Sequence, residues 1–400
     1  AALHHHPSRA LVTLGVTGTD GKTTTATLLH HLLSAAFRTG LLSTAGIRIG
    51  KESRELVGHF TTPEAPEVQA FLAEFRDAGC THAVVESSSH AFAQHRLDEV
   101  AYDLGVWTNL TPEHLDYHGS FEAYRDAKLS LARRAHVSVL NADDPSFEHF
   151  AAAAAEFVSY GIETPHADWR AMDIDEQPGR LRWRLLATID GESVEAQAEL
   201  PMVGAYNVAN ALAALAAASR VGIGLPLLLE RMAGFPGVPG RMQVIQAQPF
   251  AVVVDFAHTA PALAKALAAV RPQTRGRVIV VVGAAGERDP GKRAPLGEAA
   301  VRHADLAVFT EEDHRSEDVG AILAAMTEGA RAAGGMEGRD FLRVPDRREA
   351  IRRAVALAAP GDLVLLAGKG HEATLERDRE SLAWNEAAEA EQALAERYRA

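Results

Sequence analysis

Short apolar runs alternate along the chain with stretches of helical period. The runs "ALVTLGV" from Ala10, "HAVVESSS" from His82, "DLGVWTNL" from Asp103 and "VSVLNADD" from Val137 are each long enough for one buried strand. Between such runs, Thr24 to Ala36 and Glu64 to Ala78 place apolar residues three or four apart, which predicts helices. Apolar strands separated by helices predict a parallel sheet covered on both faces. From Trp169 to Leu200 the pattern becomes "RLRWRLLATIDGESVEAQAEL", two alternating segments around an "IDGE" turn. That texture predicts an antiparallel hairpin beside the parallel sheet. The alanine-rich "YNVANALAALAAASR" follows as a helix, and "GFPGVPGRMQ" from Gly234 is dense enough in Pro and Gly to be a linker. A second βα series begins beyond it, with "AVVVDFAH", "RVIVVVGAAG", "LAVFTEED", "FLRVPD" and "DLVLLAGKG" as its strands.

Composition narrows the classes. A chain of 400 residues with 47% hydrophobic content supports two or three domains. Its net charge of −13, with no basic tract longer than pairs such as Arg133-Arg134 and Arg347-Arg348, speaks against a nucleic-acid partner. The single cysteine, Cys80, excludes an internal disulfide, and no apolar run approaches the roughly 20 residues of a membrane span. A cytoplasmic monomer that handles small molecules, with neither nucleic acid nor membrane as partner, is the expectation.

Chemistry enters at "GVTGTDGKTTTATLLHHLL", from Gly15. A glycine-rich turn between strand and helix aims backbone N–H groups at phosphate oxygens, the helix N-terminus adds its positive dipole end, and Lys22 adds a point charge. Thr23 follows where a Mg²⁺-ligating hydroxyl belongs. The strict G-x-x-x-x-G-K-[ST] spacing needs glycine at position 16, whereas this chain has Val16 with glycines at 15, 18 and 21. The expected fold is α/β: a P-loop ATPase-type parallel-sheet domain with an antiparallel hairpin addition over 11–241, behind a linker remnant at 1–10, then a C-terminal Rossmann-like α/β domain over 242–400.

Further candidates gather at strand ends. "VVESSSH" closes one strand with Glu86, Ser88 and His90, and "GVWTNL" runs into "TPEHLDYHGSFEAYRDAK" with His114, Asp116 and Lys128. Carboxyl ends of strands are where open α/β sheets hold ligands, and a carboxylate with an imidazole there suits magnesium beside a triphosphate. The same residues also occur as ordinary solvated strand ends.

The motifs "GVTGTDGKTTT", "FTTPEAPEVQ", "ESSSHAFAQHRLD", "TNLTPEHLDYHGSFEAYRDAK", "GAYNVANALAA", "GVPGRMQ", "VVVDFAHT", "GAAGERDPGKR", "EEDHRSED" and "AGKGHE" follow in this order. Together they resemble the Mur ligases, within them the members that add the third residue of the peptidoglycan stem peptide. The resemblance runs from Pro7 to the last helix. It implies an ATP-dependent amide ligase of cell-wall synthesis working through an acyl phosphate. ATP would lie on Gly18, Thr19, Asp20, Gly21, Lys22, Thr23 and Thr24, with Asn207 and Asn210 near the adenine and Arg241 and Asp255 near phosphates and ribose. Mg²⁺ would be held by Thr23 with Glu86 and by His114 with Lys128, a lysine carbamylated in these enzymes; Lys22, Glu86, His114 and Lys128 form the implied catalytic set. Without the resemblance Asn207 would pass as a helix N-cap.

On the acceptor side the resemblance assigns the muramoyl dipeptide to Thr61, Thr62, Ser88, Gln94 and Arg96. The incoming amino acid falls to Arg288, Asp313, His314, Arg315, Gly368 and Glu372. Departures from the family pattern bear on its identity. The usual D-N-P-R tetrapeptide is Glu312-Asp313-His314-Arg315 here, and the extra charge at Asp313 favours a distal ammonium, hence lysine or ornithine, while the retained Arg315 favours the distal carboxylate of meso-diaminopimelate. Asp20 and Glu113 replace a common asparagine and a common aspartate. The family's usual first domain, which grips the uridine nucleotide, has no counterpart ahead of Gly15, so a fragment and a two-domain relative with a non-UDP acceptor are both expected readings. "GVPGRMQ" is the expected hinge of closure on ATP. Folylpolyglutamate and cyanophycin synthetases share the cradle and metals but not "SSHAFAQHR" and "GKGHE". A nucleotide-binding subunit without activity is the other alternative, disfavoured by Lys22, Glu86, His114 and Lys128 occurring together.

Overall fold

The computed structural model describes residues 1–50, 52–54, 56, 61–177, 179–378 and 380–399. Phe60, at the head of the "FTTPEAPEVQ" motif, lies outside them. The chain divides into two compact units, the first formed by 1–175, 182–201 and 205–236, the second by 176–181, 202–204 and 237–400. Residues 1–10, expected as a linker remnant, form two 3₁₀ turns that belong to the first unit. Arg76 Nη1 donates to the His4 carbonyl there at 2.8 Å.

The first unit is built on β1 (Val12–Thr17), β2 (Thr39–Ser43), β3 (Gly46–Ile49), β4 (Glu52–Arg54), β5 (His82–Glu86), β6 (Tyr102–Trp107), β7 (Ala135–Asn141), β8 (Phe157–Gly161), β9 (Trp169–Gln177), β10 (Arg180–Ile189) and β11 (Glu192–Leu200). They form one sheet in the order β11-β10-β9-β8-β7-β6-β1-β5-β2-β3-β4. From β2 through β5, β1, β6, β7 and β8 to β9 all pairings are parallel. The expected hairpin is β10–β11, turned on Asp190-Gly191 with both residues at positive φ, while β9 joins the parallel set. At the opposite edge β3 and β4 fold back antiparallel, a feature the apolar pattern did not announce because β4 is exposed throughout.

Helices α1 (Lys22–Leu33), α2 (Ala65–Asp77), α3 (Ser89–Ala93), α4 (Leu115–His118), α5 (Phe121–Arg134), α6 (Phe147–Ala153), α7 (Tyr206–Arg220) and α8 (Leu225–Ala233) complete this unit. Their starts are chemically marked. Ser88 Oγ accepts from Ala91 N–H to open α3, Ser120 Oγ accepts from Ala123 N–H to open α5, and Glu64 with Glu67 forms a capping box on α2. Asn207, by contrast, is the second residue of α7, whose N-cap is Ala205. Strands β1 and β5 are buried almost throughout because helices cover the sheet, so their Val and Leu side chains meet no water. The sheet reverses its winding beside β1, and the carboxyl ends of β1, β5 and β6 come together there.

The second unit contains β12 (Gln243–Gln246), β13 (Ala251–Asp255), β14 (Val278–Val282), β15 (Leu306–Phe309), β16 (Phe341–Arg343) and β17 (Leu363–Ala367), ordered β12-β13-β17-β14-β15-β16. All pair in parallel except β12, an antiparallel edge strand that begins on the last residue of the segment read as linker. A ribbon of β18 (Thr374–Arg377) and β19 (Glu380–Ala383) stands apart from that sheet. Helices α9 (Ala260–Val270), α10 (Arg293–His303), α11 (Val319–Ala332), α12 (Arg347–Leu357) and α13 (Glu386–Arg399) pack around it. Two apolar clusters, one holding Val280 and Phe309 and the other Ile279 and Val308, lie on the two faces.

A fully buried ion pair ties this unit together. Arg347 donates to the Glu386 carboxylate at 2.6 to 3.1 Å and to the carbonyls of Glu311 and Ala367, while Trp384 Nε1 donates to Glu386 at 2.7 Å. Removing one partner strands a charge. Arg347→Met should destabilise the second unit by about 3–5 kcal/mol in urea denaturation, and Arg347→Met with Glu386→Leu should recover most of the loss.

Candidate active site

The loop from Gly18 to Gly21 joins β1 to α1 and survives only with glycine at its ends. Gly18 has φ 150°, and a Cβ there would fall 1.9 Å from Thr108 Oγ1; Gly21 has φ 82°, and its Cβ would fall 2.3 Å from Asn210 Oδ1. Thr108 and Asn109, just past β6, hold the loop from outside. Thr108 Oγ1 donates to the Asp20 carbonyl at 2.6 Å, Asn109 Nδ2 to the same oxygen at 3.0 Å, and Asp20 N–H to Asn109 Oδ1 at 2.9 Å. Asn210, on α7, lies behind the loop with its Oδ1 accepting from Thr25 Oγ1 at 3.3 Å and its Nδ2 donating to Asn207 Oδ1 at 2.9 Å. Both asparagines are buried, and Asn210 backs the loop at Gly21 and Thr25.

Two lysines meet at one oxygen. Lys22 Nζ donates to the carbonyls of Gly18 at 3.1 Å and Thr19 at 2.7 Å, and Lys128 Nζ donates to the same Gly18 carbonyl at 2.5 Å. Lys128 is 1% exposed, and burial first, then the Lys22 charge, pushes its amine well below the usual lysine range. Tyr124, one turn earlier on α5, lays its ring 4.7 Å from that amine. Glu86 ends β5 with 1% exposure, accepting Thr23 Oγ1 on Oε1 and Thr44 N–H on Oε2, each at 2.9 Å. Thr24 is buried in the first turn of α1.

A cleft of about 290 Å³ opens from the loop. The expected Lys22, Thr61, Thr62, Ser88, Gln94, Arg96, His114 and Lys128 line it together. Thr62 Oγ1 donates to the Glu86 carbonyl at 2.8 Å and accepts from Ser88 N–H at 3.1 Å. Arg96 donates to the Thr62 carbonyl at 2.9 Å, touches Gln94 Oε1 and pairs with Glu64 at 2.8 Å. His114 stands at φ 54° ahead of α4, with its ring 4.7 Å from that of His90. Burial, reinforced by His114 and His118, holds the His90 imidazole below its ordinary value. His90, a strand-end candidate in the sequence, also lines the cleft, as do Ser89 and Tyr124, which stood outside the sequence-derived set; the spacing of Tyr124 four residues before Lys128 was the signal for one of them.

The fit to a divalent cation can be judged from these donors. Thr23 hydroxyl and Glu86 carboxylate already share a hydrogen bond, and such an oxygen pair suits Mg²⁺. Among the described residues no group of three or more His, Cys, Asp or Glu side chains is arranged to hold a metal ion. Phosphate oxygens would have to complete the shell. At His114 and Lys128 a protonated amine repels a cation, whereas an amine kept uncharged by burial is able to take up CO₂ and become an oxygen ligand.

In the second unit, Arg241 lies 4.7 Å over the Phe256 ring, and Gly240 packs so tightly on Gly370 and His371 that a Cβ would approach within 2.2 Å. Asp255, at the end of β13, accepts from the N–H groups of Met242 and Ala257 at 2.9 Å; burial raises its carboxyl above the ordinary range. His371 is pushed down to about 4, by burial and then by Arg241. Asp313 corrects the charge argument drawn from sequence. Its Oδ1 accepts from the buried Lys369 ammonium at 2.7 Å, and Lys369 also pairs with Glu372 at 2.7 Å, so the added negative charge is already matched inside the chain. Arg315 turns Nη1 onto the carbonyls of Gly286 and Asp313, His314 Nδ1 donates to the Glu317 carbonyl at 3.1 Å, and Arg288 is exposed. Beside Gly368 lies Glu312, whose buried Oε2 lacks a partner among the described residues; burial pushes its carboxyl up to about 7 against Arg347 and Lys369.

A glycine-rich phosphate loop with two lysines, an oxygen pair for a hard cation and a polar cleft beside it define an ATP-using α/β enzyme. The Mur ligase middle domain model matches residues 16–218, and the model described as Mur ligase, glutamate ligase domain, matches residues 240–370. UDP-N-acetylmuramyl-tripeptide synthetase of Deinococcus radiodurans is 51% identical, over 99% of this chain and 81% of its own. UDP-N-acetylmuramoyl-L-alanyl-D-glutamate--2,6-diaminopimelate ligase of Streptomyces coelicolor is 42% identical, over 93% of this chain and 74% of its own. A solved structure of a ligase with that same name superimposes with a TM-score of 0.73 at 32% identity, over 97% of this chain and 79% of the other. The chain belongs to the Mur ligase family, the ATP-dependent ligases that form amide bonds, as its ordered motifs implied. No helix among the described residues is long and apolar enough to cross a membrane.

Gly18→Ala should weaken ATP binding at least tenfold in calorimetry, because the methyl meets Thr108, whereas Gly119→Ala, at φ 77° with open space around it, should bind ATP as the parent does. A second expectation concerns pH. Glu312 holds its proton more tightly when folded, so its contribution to stability is full below about 4.5 and is lost as pH rises through about 7. Denaturation of Glu312→Gln across pH 4 to 8 should show that slope removed.

Proposed function

We propose that the chain joins a diamino acid to UDP-N-acetylmuramoyl-L-alanyl-D-glutamate, with lysine or ornithine as the incoming residue. The convergence of Lys22 and Lys128 on the Gly18 carbonyl, at the mouth of a cleft carrying Arg96, is the observation that carries the reaction. Two amines share one weak acceptor there, and a phosphate would offer Lys22 a stronger one. In the reading, the acceptor carboxylate oxygen attacks the γ-phosphorus of ATP and ADP leaves with the bridging oxygen. The amine nitrogen then attacks the carbonyl carbon of the acyl phosphate, and the tetrahedral adduct expels phosphate and yields its proton to solvent. Lys22 neutralises charge on the transferring phosphoryl group and Arg96 orients the acceptor's anionic end, so the chain contributes positioning and electrostatics, not a covalent nucleophile. When bound at Thr23 and Glu86, Mg²⁺ supplies further neutralisation of phosphate charge. Carbamylation at Lys128 would turn a cation into an anionic oxygen ligand, and the buried, charge-disfavoured amine supports that step.

Glu312, not Asp313, supports a basic incoming residue. Its orphaned buried oxygen beside Gly368 needs a donor, and a distal ammonium is one. A distal carboxylate would add a like charge to Glu312 and Glu372. Cytoplasmic, monomeric operation accompanies this reading.

Assayed with UDP-muramoyl-dipeptide and ATP, lysine or ornithine should release phosphate faster than meso-diaminopimelate; preference for diaminopimelate refutes the choice. Lys128→Ala should lose turnover by at least a hundredfold and regain part of it with added short-chain carboxylic acids, on the scale of removing one transition-state electrostatic contact. Full activity of the unsupplemented variant excludes the carbamate.

A further inference from the structure

Tyr124 is fully buried and lines the cleft, and its phenol oxygen lies 2.9 Å from Thr19 Oγ1. The surrounding bonds decide which hydroxyl donates. Thr19 Oγ1 is 3.2 Å from the Thr111 carbonyl, which only accepts, and 3.0 Å from the Thr111 N–H, which only donates. Its single proton therefore goes to the carbonyl, and its remaining lone pair takes the O–H of Tyr124. Thr19 N–H in turn donates to the Asn109 carbonyl at 2.9 Å.

Thr19 is thus fixed through main chain and side chain, while Gly18 next to it gives its carbonyl to Lys128 and to Lys22, whose ammonium a phosphate would draw away. We propose that Tyr124 is a positioning residue for nucleotide binding, its O–H anchoring the phosphate loop at Thr19 so that the loop keeps its shape when Lys22 leaves the Gly18 carbonyl. The anchor is shielded from water, since Thr19 is itself buried. It is also selective: Thr111 and Asn109 hold the loop to its own sheet, whereas Tyr124 ties it to α5, the helix that carries Lys128. One hydroxyl therefore keeps loop and lysine in register. The inference rests on the reading of this loop as the ATP site.

Calorimetric titration of the full chain with a non-hydrolysable ATP analogue, alongside KM values for ATP and acceptor, tests it. Tyr124→Phe keeps the ring and removes one net hydrogen bond, so affinity should fall about fivefold, with KM for ATP rising in step and KM for the acceptor unmoved. In a Thr19→Val background, Tyr124→Phe should cost nothing further, because the bond is already gone. Parent-like affinity of Tyr124→Phe, or an undiminished loss in the Thr19→Val background, overturns the anchor. Should Tyr124→Phe not fold, Thr19→Val breaks the same bond from the other side, and unchanged affinity there overturns it equally. A parent chain that binds no nucleotide refutes the site itself, a separate result.

Discussion

Everything in the first unit is arranged around the carbonyl oxygen of Gly18. Two lysine amines reach it, at 3.1 and 2.5 Å, from opposite sides: one from the helix the loop opens, the other from α5. Burial first, and then the Lys22 charge, disfavour the charged form of Lys128 there. Gly18 must be glycine for the approach to exist, Thr108 must be small, and Tyr124 must lay its ring beside the amine. The sheet supplies the meeting point because β1, β5 and β6 all end there.

Much of this was legible in the chain. The apolar runs gave β1, β5, β6 and β7 in the first unit and β13 to β17 in the second, most of them buried on both faces and so read as continuous Val, Ile and Leu, with the short edge strand β16 marked by Phe341 and Leu342. Edge and short strands escaped. β4 is exposed along its length, β8 has five residues with polar interruptions, and β12 has only four half-buried residues directly after the Pro- and Gly-rich linker. The cleft was foreseen better than periodicity alone allows, because "TTP", "SSSH" and "YRDAK" carry side chains whose order matched a family. Ser89 and Tyr124 were missed as lining residues although each stands within a quoted motif; a motif gives composition, and only the fold says which side faces the cleft.

Asp313 shows the opposite failure. As a letter in "EEDHRSED" it is a charge added where the family has an amide, and the inference to a cationic ligand follows directly. Its partner Lys369 lies 56 positions away, on the loop after β17, and cancels that charge at 2.7 Å. Local sequence carries no trace of a pairing made across a parallel sheet. Glu312, one residue earlier, drew no comment in the sequence and proves to be a group with an unmet hydrogen-bonding need.

The two units therefore present their polar groups in different states. At the phosphate loop the donors are provisionally satisfied: Lys22 and Lys128 rest on Gly18, and Thr23 on Glu86. A ligand there must compete with bonds already made, so affinity depends on offering more than a carbonyl does, which a polyanion with its cation supplies. In the second unit Arg241 Nε and Glu312 Oε2 are buried without partners among the described residues. A ligand that reaches those atoms gains the bond and removes a standing desolvation penalty together, and an unmatched group penalises every competitor that lacks the right donor. A ligand that meets satisfied groups is held by what it offers beyond them, whereas one that meets an orphaned group is selected by whether it completes that group's bonding.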